Sequence, residues 1–217
     1  MKKLHALVLG ATGSTGQELV KFLLDNPHFY KVSVFVRKSM NMKHKKLIVH
    51  KVDFSCLKKY KYLVKGDVLF SSLGTTRKEA GSKEKQYLVD YIYQYKFAKM
   101  ASENLVGHYS LVSSLGADHK SHFFYLRIKG ELEESIKNLT FKTIHIFQPP
   151  SLIRQPELIR NGEKITLMIL NILNSLGVLI SFKPLSVKKL AIKMVKELKS
   201  KNSEKITVYK ANDLFMR

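Results

Sequence analysis

The chain has 217 residues, of which 45% are apolar, and its 38 Lys and Arg against 17 Asp and Glu give a formal net charge of +21. This length suits one domain with its own core and excludes two full-sized domains. The single cysteine, Cys56, excludes an internal disulfide framework and a cysteine-based metal site, so we expect a reducing compartment, the cytoplasm. The positive charge favours an anionic partner, but the lysines are spread along the chain without a nucleic-acid-binding motif, which favours a solvated surface.

The first forty residues predict a strand, a helix and a second strand. "MKKLHALVLGATG" has the basic start and short apolar run of a signal peptide, but His5 interrupts the run and a periodic helix follows. We therefore interpret it as the first β-strand. In the helix, Leu19, Val20, Leu23 and Leu24 recur at helical spacing before Pro27. "KVSVFVRK" is rich in β-branched residues, which is typical of a strand.

The alternation continues along most of the chain. Four more strands are predicted at "KLIVHKVDF", "DVLFSSLG", "HYSLVSS" and "FKTIHIFQPP". One helix is predicted over Ser82–Asn104, and another over "FYLRIKGELEESIKN" with Leu126, Leu132 and Ile136 on its apolar side. Beyond Pro150 the pattern weakens, and an amphipathic helix, "LSVKKLAIKMVKELKS", precedes a last strand, "KITVY".

This order of elements predicts an α/β fold, a Rossmann-type doubly wound parallel sheet with helices on both faces, formed by a single domain over residues 1–217. The apolar stretch Ile165–Ile180 is shorter than the roughly 20 residues of a membrane-spanning helix, so no membrane span is expected. We interpret it as a buried helix or as a surface for a protein partner or self-association.

A glycine-rich turn joins the first strand to the first helix. In "LGATGSTGQEL", Gly10 allows a sharp turn, Gly13 allows close approach to a pyrophosphate, and Gly16 allows the helix to pack tightly on the strand. The phosphates would lie on the N–H groups at the helix N-terminus. The turn therefore predicts a dinucleotide site, with contacts from the six residues Gly10, Thr12, Gly13, Ser14, Thr15 and Gly16. A tight turn without a ligand is the alternative.

The end of the second strand predicts which dinucleotide binds. NAD-binding sheets carry an acid there for the ribose 2′-hydroxyl, whereas this chain has Arg37 and Lys38. Both cations can pair with a 2′-phosphate, and Arg37 can do so in bidentate fashion. We therefore expect NADP as the cofactor, unless both are merely surface charges. Asp53, after the third strand, is a candidate to flank the adenine or a simple turn residue.

The fifth strand and the next helix carry the candidate catalytic residues. The strand ends at Ser113 and Ser114, and ligands of doubly wound sheets bind at the carboxyl ends of the strands. Tyr125 and Lys129 are four residues apart and share one helix face. An ammonium favours the phenolate, so the tyrosine could exchange a proton with a carbonyl or alcohol while a serine hydrogen-bonds the same oxygen. On an isolated helix the same spacing would mean little.

These motifs, with "SSLGTTRKEAGS" and "QPP…IRQPE" in the expected order, resemble the atypical short-chain dehydrogenases/reductases, and more narrowly the Tat-interacting-protein-30-like oxidoreductases. The resemblance implies an NADP-binding Rossmann domain, with a small substrate region formed mostly after residue 150. It also implies a small carbonyl or alcohol substrate and a catalytic Ser114 (or Ser113), Tyr125 and Lys129. Leu73, Gly74, Thr75 and Pro149 would run past the cofactor, and Lys129 could also hold the nicotinamide ribose.

The chain departs from this family after the sixth strand, where Gln148-Pro149-Pro150 replaces Arg-Pro-Gly. The family also contains proteins described as regulators, so an NADPH-sensing protein-binding module is the alternative function. No metal site is predicted, because His119 and His122 lie in a polar loop without further ligands.

Overall fold

The computed structural model describes residues 3–153, 184–199 and 204–215. The predicted apolar helix at 165–180, and most of the predicted substrate region, lie outside these residues. In the described residues, no helix is long and apolar enough to cross a membrane.

The centre of the molecule is a seven-stranded sheet in which all neighbouring strands are parallel. Its strand order is β3-β2-β1-β4-β5-β6-β9. Strands β2 and β3 are added on one side of β1 and the later strands on the other side, so the strand order reverses between β1 and β4. The strands are β1 (Leu4–Leu9), β2 (Phe29–Val36), β3 (Leu47–Lys51), β4 (Val68–Ser71), β5 (His108–Val112), β6 (Thr143–Phe147) and β9 (Ile206–Tyr209). The predicted doubly wound sheet is confirmed, and ligands of such sheets bind where the order reverses.

Helices cover both faces of the sheet, because side chains along each strand alternate between two cores. Ala6 and Val8 of β1 lie in one core, which is covered by helices α1 (Ser14–Asp25) and α6 (Val187–Lys196). Leu7 and Leu9 lie in the other core, which α4 (Gln94–Glu103), α5 (Phe124–Lys137) and a 3-10 helix (Phe54–Leu63) cover. The buried strands therefore read as nearly continuous apolar runs, as expected of a parallel sheet.

The helical segment predicted over Ser82–Asn104 is interrupted. It begins with α3 (Lys83–Tyr87), passes through a π-helical stretch (Leu88–Tyr93) and continues as α4. A short helix, α2 (Arg77–Ala80), precedes it and ends at Gly81 in the left-handed conformation. The π-helical stretch contains the fully buried Asp90, and such insertions often occur at functional sites.

Four further small elements were not predicted either. The segment after β3 forms the 3-10 helix, with Asp53 accepting a hydrogen bond from the Ser55 N–H at its start. Strands β7 (Leu152–Ile153) and β8 (Leu185–Ser186) pair in parallel, and α7 (Ala211–Phe215) follows β9. The β7–β8 pair brings the start of α6 next to the segment that follows β6.

Candidate functional site

The glycine turn lies at the carboxyl end of β1, where the sheet order reverses. Gly10 has φ of +86°, which only glycine adopts without strain, and a Cβ there would lie 2.5 Å from the Leu73 nitrogen. The turn therefore packs directly against the segment that follows β4. The Gly13 N–H donates to the Gly10 carbonyl at 3.0 Å, which closes the turn.

The other two glycines have different roles. A Cβ on Gly16 would overlap the Gly10 carbonyl oxygen and lie 2.8 Å from its carbon, so only glycine lets α1 approach the turn this closely. A Cβ on Gly13 would come no nearer than 3.4 Å to the Gly10 oxygen. Gly13 caps α1 and faces solvent, so its missing side chain leaves space for a ligand at the positive end of the helix.

Three cavities formed by the described residues follow one another across this end of the sheet. The first, about 500 Å³, lies beside the end of β2. The second, about 540 Å³, runs along the glycine turn, and the third, about 480 Å³, reaches α5. Arg37 lines the first two cavities, while Gly13, Ser14 and Leu73 line the second and third. Because neighbouring cavities share these lining residues, the three together form a track from the end of β2, past the glycine turn, to α5.

Most of the predicted site residues line this track. They are Gly10, Thr12, Gly13, Ser14, Thr15, Arg37, Asp53, Leu73, Gly74, Thr75, Ser113, Tyr125 and Lys129. Gly16, Lys38, Ser114 and Pro149 are not among the residues that line it; Pro149 is buried and accepts a hydrogen bond from the Leu115 N–H at 2.9 Å. The Ser114 hydroxyl donates to the Leu115 carbonyl at 3.3 Å.

The first cavity contains a cation that the sequence analysis did not select. Lys51, at the end of β3, lines it together with Arg37, because β3 pairs with β2 in the sheet. Asp53 lies in the same cavity, and hydrogen bonds from the Ser55 hydroxyl and N–H lower the pKa of its carboxyl. Tyr60 and Tyr93 add aromatic surface. The cations can bind a phosphate group, and the rings offer a flat surface to a planar base.

At the other end of the track, Lys129 forms a buried ion pair. Its Nζ lies 2.9 Å from Asp90 Oδ1, and the two side chains are 4% and 0% exposed. Burial alone lowers the pKa of the Lys129 ammonium, but attraction to Asp90, and secondarily to Tyr125, outweighs burial and raises that pKa. Lys129 is therefore a fixed positive charge at neutral pH, and part of its field is compensated by Asp90.

Asp90 connects several parts of the site. Its Oδ2 accepts a hydrogen bond from the Thr75 N–H at 3.1 Å, and its carbonyl accepts from the Gln94 amide at 2.8 Å. Gln94 in turn accepts from the Ser71 hydroxyl at 2.7 Å. A Cβ on Gly74 would lie 3.3 Å from Asp90 Oδ1, so the ion pair lies directly under the segment that follows β4.

Tyr125 stands at the open side of the same cavity. It is 41% exposed, and the Lys129 Nζ lies 5.8 Å from the centre of its ring. Helix α5 presents both side chains because they are one turn apart. The arrangement leaves the phenol accessible from the cavity, with the buried ammonium on the same face of the helix.

Ser113 is linked to a second buried carboxyl group. Its hydroxyl donates to Glu133 Oε1, and the Gln148 amide donates to both oxygens of Glu133, at 3.1 and 3.0 Å. Burial raises the pKa of the Glu133 carboxyl, and the two hydrogen-bond donors only partly offset this. While Ser113 donates to Glu133, its oxygen can only accept hydrogen bonds from a ligand in the cavity.

The sequence analysis missed Asp90, Glu133 and Gln148. Asp90 is the only acid in the aromatic-rich stretch "YLVDYIYQY". This pattern could have indicated a functional residue, because an acid that is buried among apolar side chains needs a charged or hydrogen-bonding partner. Glu133 follows Lys129 by one helical turn. The role of Gln148 could not be derived locally, because its partner Glu133 lies 15 residues away on another element.

Comparison with known proteins agrees with this geometry. A family model described as NAD(P)H-binding matches residues 10–162. The chain is 35% identical over 167 residues to protein HTATIP2 of Rattus norvegicus, covering 75% of this chain and 69% of the relative. It is 34% identical over 155 residues to the mitochondrial protein FMP52 of Candida albicans, covering 69% and 68%.

Solved structures show the same fold at low sequence identity. UDP-N-acetylglucosamine 4-epimerase from Methanobrevibacter ruminantium superposes with a TM-score of 0.71 at 16% identity, covering 97% of this chain and 77% of the other. The dTDP-4-dehydrorhamnose reductase from Bacillus anthracis, in complex with NADP, gives 0.67 at 14%, covering 99% and 81%. The family match, the two relatives and the glycine turn on a doubly wound sheet together establish that the chain belongs to the NAD(P)H-binding family of atypical short-chain dehydrogenases/reductases.

Proposed function

We propose that the chain is an NADP-dependent oxidoreductase acting on a small carbonyl or alcohol compound. The observation that carries the proposal is one shared cavity of about 480 Å³, lined by the start of α1 and by Ser113, Tyr125 and Lys129. A cofactor held by the glycine turn would thus reach the same space as a phenol and a buried ammonium. This combination suits proton transfer coupled to hydride transfer.

The residues present fit the dinucleotide. The residues at the start of α1 would hold the pyrophosphate, Arg37 and Lys51 the 2′-phosphate, and Leu73–Thr75 would lie along the nicotinamide half. The bound nicotinamide would supply or accept the hydride. The proline-rich segment at Pro149 remains a predicted contact.

In the reducing direction, Tyr125 donates its phenolic proton to the substrate oxygen as the carbonyl carbon gains the hydride, and it takes the proton back from solvent afterwards. Lys129 stabilises the phenolate that this step leaves. Asp90 holds the ammonium in place and offsets part of its charge. Ser113 or Ser114 orients the reacting oxygen. Ser113 lines the cavity, and while it donates to Glu133 it can accept only from the alcohol, so a carbonyl oxygen needs either Ser114 or a Ser113 hydroxyl turned away from Glu133.

The reaction is tested with Tyr125→Phe. We expect turnover to fall about 100- to 10,000-fold, the range of general acid–base catalysis, while NADPH affinity stays within about twofold. The exposed Tyr62 supplies a matched control, Tyr62→Phe, because it lines none of the three cavities. A panel of aldehydes and ketones with NADPH oxidation as readout measures turnover. Full activity of Tyr125→Phe would remove the tyrosine from the mechanism.

Cofactor preference is tested by titrating the protein with NADPH and NADH. Arg37→Ala and Lys51→Ala are expected to weaken NADPH about tenfold or more and to leave NADH nearly unchanged, because only NADPH carries the 2′-phosphate. Lys38→Ala should weaken NADPH less, since Lys38 does not line the track. Equal wild-type affinity for the two nucleotides would contradict NADP preference.

The alternative, an NADPH-sensing protein-binding module, predicts tight NADPH binding with no turnover of any carbonyl compound. The same titration and substrate panel distinguish the two functions. The proposed compartment is the cytoplasm, on the basis of the single cysteine. The name of the FMP52 relatives says that they are mitochondrial, so a tagged full-length chain should be located by microscopy.

A further inference from the structure

Two cations that the proposed reaction does not use line the cavity that contains Tyr125. Arg77 is the first residue of α2 and Lys83 is the first residue of α3. Both are exposed at the mouth of the cavity, on the segment between β4 and the buried Asp90. Their ends can therefore reach a molecule in the cavity without displacing any part of the core.

The charges around this cavity do not cancel. Lys129 and Asp90 also line it, and in their ion pair Asp90 offsets part of the Lys129 charge. Arg77 and Lys83 form no ion pair with any residue that the structure describes. The pKa of the Glu84 carboxyl is lowered, first by a hydrogen bond from Ser82 and then by the charges of Lys83 and Arg77. Glu84 is therefore near both cations, but it does not line the cavity. Two positive charges therefore face the space next to Tyr125.

An aromatic ring completes this end of the cavity. Phe124 lines it beside Tyr125 and is half-buried. The Lys83 Nζ lies 5.5 Å from the centre of the Phe124 ring, and the Arg127 guanidinium lies 5.8 Å from it. Contact with the ring fixes Lys83 near the cavity, and the ring offers a flat apolar surface between the cation and the phenol.

From this arrangement we infer that the substrate is an anionic carbonyl compound, with a carboxylate or phosphate bound by Arg77 and Lys83. Its flat apolar body lies against Phe124, and its carbonyl oxygen faces Tyr125. This assignment rests on the proposed function for the position of the reacting carbonyl. The glycine turn and the Tyr125–Lys129 pair do not distinguish an anionic substrate from a neutral one, because they would act in the same way on any carbonyl compound.

Anion recognition is measured first by binding, without turnover. The protein saturated with NADP⁺ is titrated with benzoate and with benzamide, which have the same shape and differ in charge. We expect benzoate to bind at least about tenfold more tightly, and Arg77→Ala and Lys83→Ala each to weaken it about three- to tenfold. Lys78→Ala is the matched control, because Lys78 is adjacent and exposed but does not line the cavity.

The cofactor's own phosphates are the other source of negative charge, so each variant is also titrated with NADPH. We expect Arg77→Ala and Lys83→Ala to change NADPH affinity less than twofold. A tenfold loss of NADPH affinity with benzoate affinity unchanged would assign the cations to the cofactor and overturn the inference. Equal affinity of the wild-type complex for benzoate and benzamide would also overturn it.

Turnover then separates this inference from the proposed function. We expect 4-carboxybenzaldehyde to have a KM at least about tenfold below that of its neutral methyl ester, methyl 4-formylbenzoate, and Arg77→Ala to remove that difference. Benzoate selectivity without reduction of any aldehyde would contradict the oxidoreductase and support the anion site. Reduction of both aldehydes with the same KM would support the oxidoreductase and contradict the anion site.

Discussion

The two ends of the cofactor track are built by different means. At the glycine turn, the backbone forms the site, and what matters is the absence of Cβ atoms at Gly10 and Gly16. Around α5, the site consists of buried ionisable side chains, with Lys129 paired to Asp90 and Glu133 held by Gln148. At Gly10 and Gly16 the first end has no space for an added carbon atom, whereas the second end tolerates no unpaired charge. Substitutions at the two ends should therefore fail for different reasons.

The largest effect is expected at the glycine turn. Gly16→Ala places a methyl group against the Gly10 carbonyl, where no rotamer change can relieve the overlap. We expect a loss of more than about 4 kcal/mol in the free energy of unfolding, together with loss of NADPH binding.

Gly13→Ala is the matched control for this glycine. Its φ of -77° suits alanine, and the added Cβ lies 3.4 Å from the nearest described atom. We expect the free energy of unfolding to change by less than about 1 kcal/mol while NADPH binding weakens about tenfold or more. Denaturant unfolding measures the stability of Gly16→Ala and Gly13→Ala, and titration measures their NADPH affinity. Equal destabilisation by the two variants would show that Gly16 is not needed for packing more than Gly13 is.

The ion pair near α5 should give the next largest effect. Asp90→Asn leaves the Lys129 ammonium buried without a counter-charge, and Lys129→Met leaves the Asp90 carboxylate in the same position. We expect each single substitution to cost about 3 kcal/mol or more in the free energy of unfolding. The double variant should cost less than the sum, because it removes both charges together. Strictly additive costs in denaturant unfolding would mean that the pair is not coupled.

The smallest effect concerns the pH dependence of stability. Because burial raises the pKa of Glu133, the native state binds more protons than the unfolded chain between the ordinary value of 4.5 and the raised native value. The contribution of Glu133 to the free energy of unfolding is therefore fully present below pH 4.5, and it is lost as the pH rises from 4.5 through the raised native pKa. Glu133→Gln cannot titrate, so its free energy of unfolding should decline less with rising pH.

This pH dependence is measured by denaturant unfolding from about pH 4 to about pH 8. Glu134→Gln removes a carboxylate from the adjacent, exposed position, which only adds to the raised pKa of Glu133, and should change the pH slope less than Glu133→Gln does. Parallel slopes for the wild type and Glu133→Gln would exclude Glu133 as the source.

The same contrast explains which parts could be predicted from the sequence. The glycine turn is local, because its three glycines, its strand and its helix occupy neighbouring positions. The parallel sheet could be predicted for a similar reason, from the order of strands and helices along the chain. The partners of Lys129 and Ser113 lie 39 and 20 residues away, respectively, on other elements. The spacing of residues in the sequence does not predict such pairs. Predicting them requires the order of the strands in the sheet and knowledge of which face of each helix packs against it.

Two cation predictions illustrate the same limit. Arg37 lines the track, whereas Lys38, the next residue, is exposed and is not among the residues that line it. Lys51 lies in the cavity although it is 14 positions after Arg37, because β3 is the parallel neighbour of β2. Its position follows from strand pairing, which the sequence pattern did not provide.

Asp90 has a consequence for motion. One carboxylate accepts a hydrogen bond from the Thr75 N–H and pairs with the Lys129 ammonium, so the segment that follows β4 and the helix that carries Tyr125 share an anchor. Opening the Thr75 hydrogen bond disturbs the partner of a buried charge, which makes local opening costly. The Thr75 amide should therefore exchange with solvent far more slowly than its neighbours. Hydrogen exchange at this one amide would report, in the unliganded protein, how rigidly the reaction end is held.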